Sequence, residues 1–149
     1  MNKHLLTWIG TILALALFGA SAPARGELVV IVNPQIGVDQ LTRSQVINIF
    51  LGNHREFPDG SRALPFDLPT GNPEKTMFYR NLVNKDMNQM TAYWSRLVFA
   101  GSTSPPAQAA TVQEVIETVA ANRGAIAYVE RQSIQKSERV RIVFNLPEK

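Results

Sequence analysis

The apolar residues of this 149-residue chain fall into two kinds of pattern, short continuous runs and helical stripes. Residues 27–32 (ELVVIV) and 125–129 (AIAYV) are short apolar runs, typical of strands buried on both faces, as in parallel sheets. Residues 140–146 alternate apolar with polar or basic side chains for much of their length, which predicts a half-buried strand. A further strand is predicted over 62–66, after a polar loop rich in turn residues.

Helical stripes separate these runs, and capping residues mark where the helices begin. The segments that start at Thr42 and Thr111 each have the spacing of a capping box, with Gln or Glu three residues further on. Asn72 followed by Pro73 predicts another helix start, because Asn accepts free N–H groups and Pro has no N–H to lose. Gly52 supplies the left-handed end of the first helix. Strands that alternate with helices predict an α/β sheet.

The predicted helix over 88–98 carries an apolar stripe at the positions i, i+3, i+4, i+7 and i+8. Its members are Met90, Tyr93, Trp94, Leu97 and Val98. A stripe of this width is typical of a helix face that packs against a core. We therefore expect Trp94 to be a core residue and not a stacking platform for a ligand.

A charged flank, an apolar run and small residues together predict an export signal at the N-terminus. Lys3 precedes the apolar residues 5–20, and Ala22-Pro23-Ala24 offers a cleavage site. We expect cleavage after Ala24, with Gly26 as the other candidate. An uncleaved membrane anchor is the less favoured alternative, because a spanning helix needs about 20 apolar residues. Residues 1–24 are thus a predicted signal peptide, and residues 25–149 form a periplasmic domain with no further membrane insertion.

Composition removes several classes of protein and of site. The chain has no cysteine, which excludes a disulfide scaffold, a thiolate zinc site and a cysteine nucleophile. Its net charge of +3 is small and spread out, so it does not support nucleic-acid binding.

Enzyme signals are also few. Beyond the signal peptide the one histidine is His54, in a charged loop, and no nucleotide-binding, zinc-protease or nucleophile-elbow motif occurs. Asp59, Asp67 and Glu74 could be brought together by folding, but their spacing does not require it. We assign no catalytic residue, no metal and no cofactor.

The best candidate site is the loop 68–72, which joins a predicted strand end to a helix N-terminus. Free N–H groups and the helix dipole suit that location to anions. Thr70, Gly71 and Asn72 are therefore candidate ligands for a small oxyanion. The alternative interpretation is a capped helix after an ordinary turn.

Several short segments, in their order along the chain, resemble those of phosphate transporter substrate-binding proteins. They are 41–52 (LTRSQVINIFLG), Asp59-Gly60, Asp67-Leu68-Pro69, Phe78, Tyr93-Trp94, Phe99-Ala100-Gly101, Pro105-Pro106 and 124–129 (GAIAYV). The chain is similar to the short exported members of that superfamily, the phosphate ABC transporter substrate-binding protein-like or PBP-domain proteins. The resemblance spans about residues 28–130.

This resemblance implies a single lobe of a type II periplasmic-binding-protein fold, with a small, mainly parallel sheet flanked by helices. It implies an exported, non-enzymatic solute-binding domain that binds phosphate or another small oxyanion in connection with ABC transport. The alternative is a periplasmic interaction, adaptor or sensory module that has lost ligand binding and contacts a membrane transporter or signalling partner.

The resemblance also implies where the anion would bind. Full-length relatives hold it partly through an Arg and a Ser-Gly-Thr turn at a helix N-terminus. The corresponding segment here, 67–73, reads DLPTGNP, so Thr70, Gly71 and Asn72 lie where that turn would be. Asp67 adds a negative charge and Pro73 lacks an N–H donor, so the sequence predicts weak affinity for an anion.

We expect the exported protein to begin at Arg25, because the small-residue site ends at Ala24. N-terminal sequencing of protein recovered from the periplasm measures this directly. Recovery of membrane-bound protein with Met1 intact would show instead that the apolar segment is an anchor.

Overall fold

The computed structural model describes residues 26–134 and 139–148, so the predicted signal peptide lies outside the described residues. The strands are β1 (Leu28–Val32), β2 (Leu64–Asp67), β3 (Ala107–Gln108), β4 (Ala125–Glu130) and β5 (Arg141–Asn145). The helices are α1 (Arg43–Phe50), α2 (Pro73–Val83), α3 (Met87–Phe99) and α4 (Val112–Ala121), with short 3-10 helices at Pro34–Ile36 and Arg131–Ile134. Over the described ranges, no helix has the length and apolarity that crossing a membrane requires.

One five-stranded sheet, in the order β3-β2-β4-β1-β5, organises these elements. β2 runs parallel to its neighbours β3 and β4, whereas β1 runs antiparallel to β4 and β5. The predicted α/β class is confirmed, and the predicted parallel pairing holds on the β2 side of the sheet. All five residues of β1 are buried. Its apolar run reflects burial on both faces, which a central strand has in either direction.

The helix caps form largely as the sequence predicts. The Thr42 hydroxyl accepts the N–H of Gln45, whose side chain accepts the N–H of Thr42, which completes the capping box of α1. At α4 the Thr111 hydroxyl caps the helix, but the Glu114 carboxylate accepts the N–H of Ala110, so the box is displaced by one residue.

The stripe on α3 is the prediction that the fold corrects. Met90 is buried, but Tyr93 and Trp94 are only half-buried, and Val98 is 54% exposed. α3 packs more closely against α2 than against the sheet. Its apolar face therefore extends beyond the core. The expectation that Trp94 is a core residue holds only in part, because its side chain packs against the core but is half-buried.

A cluster of buried aromatic rings joins α1 and α2 to the central strand β4. Phe78 stacks on Tyr128, with ring centroids 3.7 Å apart and planes 6° apart. Phe50 packs edge-on against Phe78 at a centroid distance of 4.9 Å. All three side chains are fully buried, so the cluster holds the middle of α2 against the sheet.

We expect Phe78→Ala to lower the free energy of unfolding by about 3 to 5 kcal/mol, because it leaves a large cavity beside Tyr128. Urea denaturation measures this change. Phe99→Ala is the matched control: Phe99 is 95% exposed, and its loss should change stability by less than about 0.5 kcal/mol. Equal effects of the two variants would contradict the packing described here.

Candidate functional site

A buried carboxylate lies at the end of β2. Asp67 is 3% exposed and accepts a hydrogen bond from each of four groups. One oxygen accepts the Leu68 N–H at 2.9 Å and the Tyr128 hydroxyl. The other accepts the Tyr79 hydroxyl at 2.9 Å and contacts the Lys75 ammonium at 3.1 Å. Both oxygens therefore have protein donors, which offset the free-energy cost of burying the charge.

Two of these donors come from one face of α2. Lys75 lies in the first turn and Tyr79 four residues later, a spacing that places both side chains on the same side of a helix. The Lys75 side chain is 8% exposed. Because α2 starts directly after the turn that follows β2, this face is directed at Asp67, and the buried cation and anion neutralise each other.

The two phenols are hydrogen-bond donors at any physiological pH. Burial raises the pKa of Tyr79 and of Tyr128 well above the ordinary value of 10.0, and the nearby charge of Asp67 raises both further. Each hydroxyl therefore keeps its proton and directs it toward the carboxylate.

A cavity of 340 Å³ opens beside this cluster. It lies between the end of β2, the start of α2 and one side of α3. Its lining residues are Asp67, Thr70, Lys75, Tyr79, Met87, Met90, Thr91, Trp94, Ser95, Val98, Pro105 and Gln108. The β2–α2 side contributes polar groups, whereas α3 contributes chiefly apolar ones.

The three residues predicted to hold an oxyanion have different roles in the structure. Thr70 lines the cavity together with Lys75. Gly71 has φ of +89° and forms the turn. The Asn72 side chain caps α2 by accepting the Glu74 N–H at 2.8 Å. Of the three, only Thr70 lies in the lining of this cavity.

The sequence interpretation also missed Lys75. Asp67, which the sequence predicted to oppose an anion, pairs with Lys75 at 3.1 Å, so the two charges cancel. Trp94, expected in the core, packs against the core and also lines the cavity. The available sequence signal was the spacing of Lys75 and Tyr79 on one helix face, directly after a strand that ends in an acidic residue.

The other carboxylates do not join Asp67. Asp59 lies in an exposed turn and accepts the Ser61 N–H at 2.9 Å. Glu74 accepts the Glu130 N–H at 3.2 Å, and burial raises the pKa of its carboxyl above the ordinary value of 4.5. No pair suited to acid and base catalysis results from these three groups.

His54 lies in an exposed loop, as its charged sequence neighbours predict. Its side chain is 66% exposed, with Nε2 3.3 Å from a Glu56 carboxylate oxygen. Within the described part of the chain, no group of three or more His, Cys, Asp or Glu residues could hold a metal ion.

The fold is shared with solved phosphate-binding proteins. These include a phosphate ABC transporter substrate-binding protein with bound phosphate from Clostridium perfringens (TM-score 0.63, 15% identity, 79% of this chain and 44% of that one). An ABC-type phosphate transport receptor from Vibrio cholerae matches at TM-score 0.62 and 13% identity, over 79% and 45% of the two chains. PstS from Borrelia burgdorferi matches at TM-score 0.62 and 15% identity, over 79% of this chain and 46% of that one.

These matches confirm the predicted resemblance at the level of the fold. The chain spans less than half the length of each of the three proteins. No protein-family model and no curated protein sequence matches it.

We expect Lys75→Met to destabilise the protein by about 3 to 5 kcal/mol, because it leaves Asp67 buried without a counter-charge. The double variant Lys75→Met, Asp67→Asn removes both charges and should be less destabilised than Lys75→Met alone. Urea denaturation at pH 7 compares the variants.

Lys85→Met is the control for this series, since Lys85 is less buried than Lys75 and makes none of the ion pairs found in the described residues. It should change stability by less than about 0.5 kcal/mol. A loss below about 1 kcal/mol for Lys75→Met would show that the ion pair does not hold α2 to the sheet.

Proposed function

We propose that this protein is an exported, non-enzymatic solute-binding domain that holds a small oxyanion such as phosphate, in connection with ABC transport. The observation that carries the proposal is the buried cation Lys75 in the wall of a cavity at the carboxyl end of β2. In α/β sheets, ligands bind outside the carboxyl ends of parallel strands. We assign an oxyanion to this location by analogy with the phosphate-transport proteins that share the fold.

The groups around Lys75 suit an anion. The N-terminus of α2 supplies a positive dipole end close to the cavity. The exposed Thr70 hydroxyl is a further donor in the lining. Lys75 has three N–H donors, of which one is needed for Asp67. In this proposal, Thr70 and the N-terminus of α2 contribute to anion binding. Gly71 shapes the turn and Asn72 caps the helix.

We expect the affinity to be weak. Asp67 already neutralises the Lys75 charge, and the bound anion would be covered by one lobe only. A dissociation constant near millimolar corresponds to about 4 kcal/mol, compared with about 8 kcal/mol for a micromolar site. Binding should therefore strengthen if a second protein surface covers the cavity.

An interaction module is the second candidate function, and a specific surface favours it. Val98 and Phe99, at the end of α3, are 54% and 95% exposed, and Val98 also lines the cavity. Large apolar side chains exposed together are typical of contact surfaces for a partner. In this alternative, the face that would carry the second lobe contacts a membrane transporter or signalling protein instead.

Calorimetric titration with phosphate and sulfate tests the first function. We expect a dissociation constant near 1 mM for phosphate and a roughly fivefold loss in Thr70→Ala, the effect of about one hydrogen bond. Ser44→Ala, an exposed hydroxyl on α1, is the control and should leave binding unchanged. Submicromolar binding by dilute protein would contradict the weak-site proposal, and absence of binding would favour the interaction module.

A further inference from the structure

We infer that this cavity prefers an organic anion, with a carboxylate or phosphonate head and an apolar body, over a bare inorganic oxyanion. The inference rests on the proposed function and deepens it, because it names the class of solute. It follows from the volume of the cavity, from the division of its lining and from the limited charge at its polar side.

The volume is too large for a bare oxyanion. The cavity measures 340 Å³, within the range of about 300 to 1,000 Å³ that is usual for pockets that bind organic ligands. One water molecule takes up about 30 Å³ of liquid, and a tetrahedral oxyanion has only five heavy atoms. Much of the space would then remain filled by water, part of it against the apolar surfaces of Met87, Met90 and Val98.

The lining is divided between a polar side and an apolar side. Lys75 and Thr70 come from the β2–α2 side, whereas α3 contributes Met87, Trp94 and Val98. An oxyanion held by Lys75 leaves this α3 surface uncovered. A ligand with an apolar body attached to the same head group would cover it, and the removal of apolar surface from water would add to affinity.

The Trp94 ring is held in place by its neighbour. Tyr93 packs edge-on against it, with ring centroids 5.0 Å apart and planes 76° apart. The Tyr93 hydroxyl in turn donates to the Leu51 carbonyl at 2.8 Å, which ties this turn of α3 to the end of α1. A positioned aromatic wall costs little entropy when a ligand packs against it.

The charge at the polar side suits a single anionic head. Within the described residues, Lys75 and Asp67 form the one ion pair whose side chains are both buried. The pair is neutral, so the site offers donors but little net charge for a phosphate dianion. A carboxylate or a phosphonate monoanion carries one charge and therefore places less demand on this site, and its apolar body gains contacts elsewhere.

The test is a series of ligands that share one head group. Calorimetry compares inorganic phosphate, methylphosphonate, butylphosphonate and phenylphosphonate with the wild-type protein. Each methylene that becomes fully buried contributes about a fourfold gain in affinity. Because the cavity is open on one side, we expect butylphosphonate and phenylphosphonate to bind about tenfold more tightly than methylphosphonate.

Fluorescence reports on the location of the apolar body. The chain has two tryptophans, Trp8 and Trp94, so Trp8→Phe leaves Trp94 as the one tryptophan whether or not the N-terminus is removed, and selective excitation of tryptophan reports on it. Phenylphosphonate should change the emission of this variant with the same midpoint as the calorimetric titration. Binding without any change in Trp94 emission would place the ligand outside this cavity and overturn the inference.

Variants on α3 separate the apolar side from the head group. Trp94→Ala should weaken phenylphosphonate about tenfold and leave methylphosphonate unchanged. Val98→Ser alters an exposed position in the same wall, so it tests the inference even if Trp94→Ala does not fold. Phe99→Ala is the matched control, because Phe99 is exposed on the same helix but absent from the cavity lining; it should change neither affinity.

The outcomes distinguish this inference from the proposed function. Tighter binding of the two larger phosphonates, lost in Trp94→Ala or Val98→Ser, supports it. Phosphate binding as tight as that of phenylphosphonate, or tighter, would overturn the inference and leave the proposed function standing. Failure of all four anions to bind would overturn the proposed function itself.

Discussion

The buried Asp67 carboxylate is the constraint on which the rest of the site depends. A charge at this depth is tolerable only if both oxygens are satisfied, and its donors come from three parts of the chain: the Leu68 backbone, Lys75 and Tyr79 on α2, and Tyr128 on β4. The same contacts hold the start of α2 against the sheet. The positions of Lys75 and Tyr79 on the polar side of the cavity thus follow from the hydrogen bonds that Asp67 needs.

Features that depend on neighbouring residues could be predicted from the sequence. The capping box at Thr42 is local, because its side chains contact backbone groups only three residues away. The left-handed Gly52 is local too, because a glycine adopts a positive φ without a steric cost. The strand runs were also recognisable. The direction of β1 was not, since a continuous apolar run records burial on both faces and contains no information on which neighbour the strand joins.

The site was predictable only in part, because its important contacts join residues distant in sequence. Thr70 was found from its place before a helix. Lys75 in a first helical turn is usually a solvated charge, and only its pairing with Asp67 from another element explains its burial. The apolar stripe correctly marked one face of α3, yet helical spacing does not distinguish a face that packs on a core from one that lines a cavity, as Trp94 does.

The two candidate functions use the same face of the molecule, and α3 is what separates them. The fold and the α2 contacts account for the polar side of the cavity in either case. Trp94 and Val98 line the cavity, whereas Phe99, on the same helix, is exposed and lies outside the lining. If the first pair carries the selectivity, the domain recognises a solute by its apolar body; if Phe99 does, it recognises a protein. The identity of the ligand or partner is therefore determined by side chains on the part of α3 that the core does not cover.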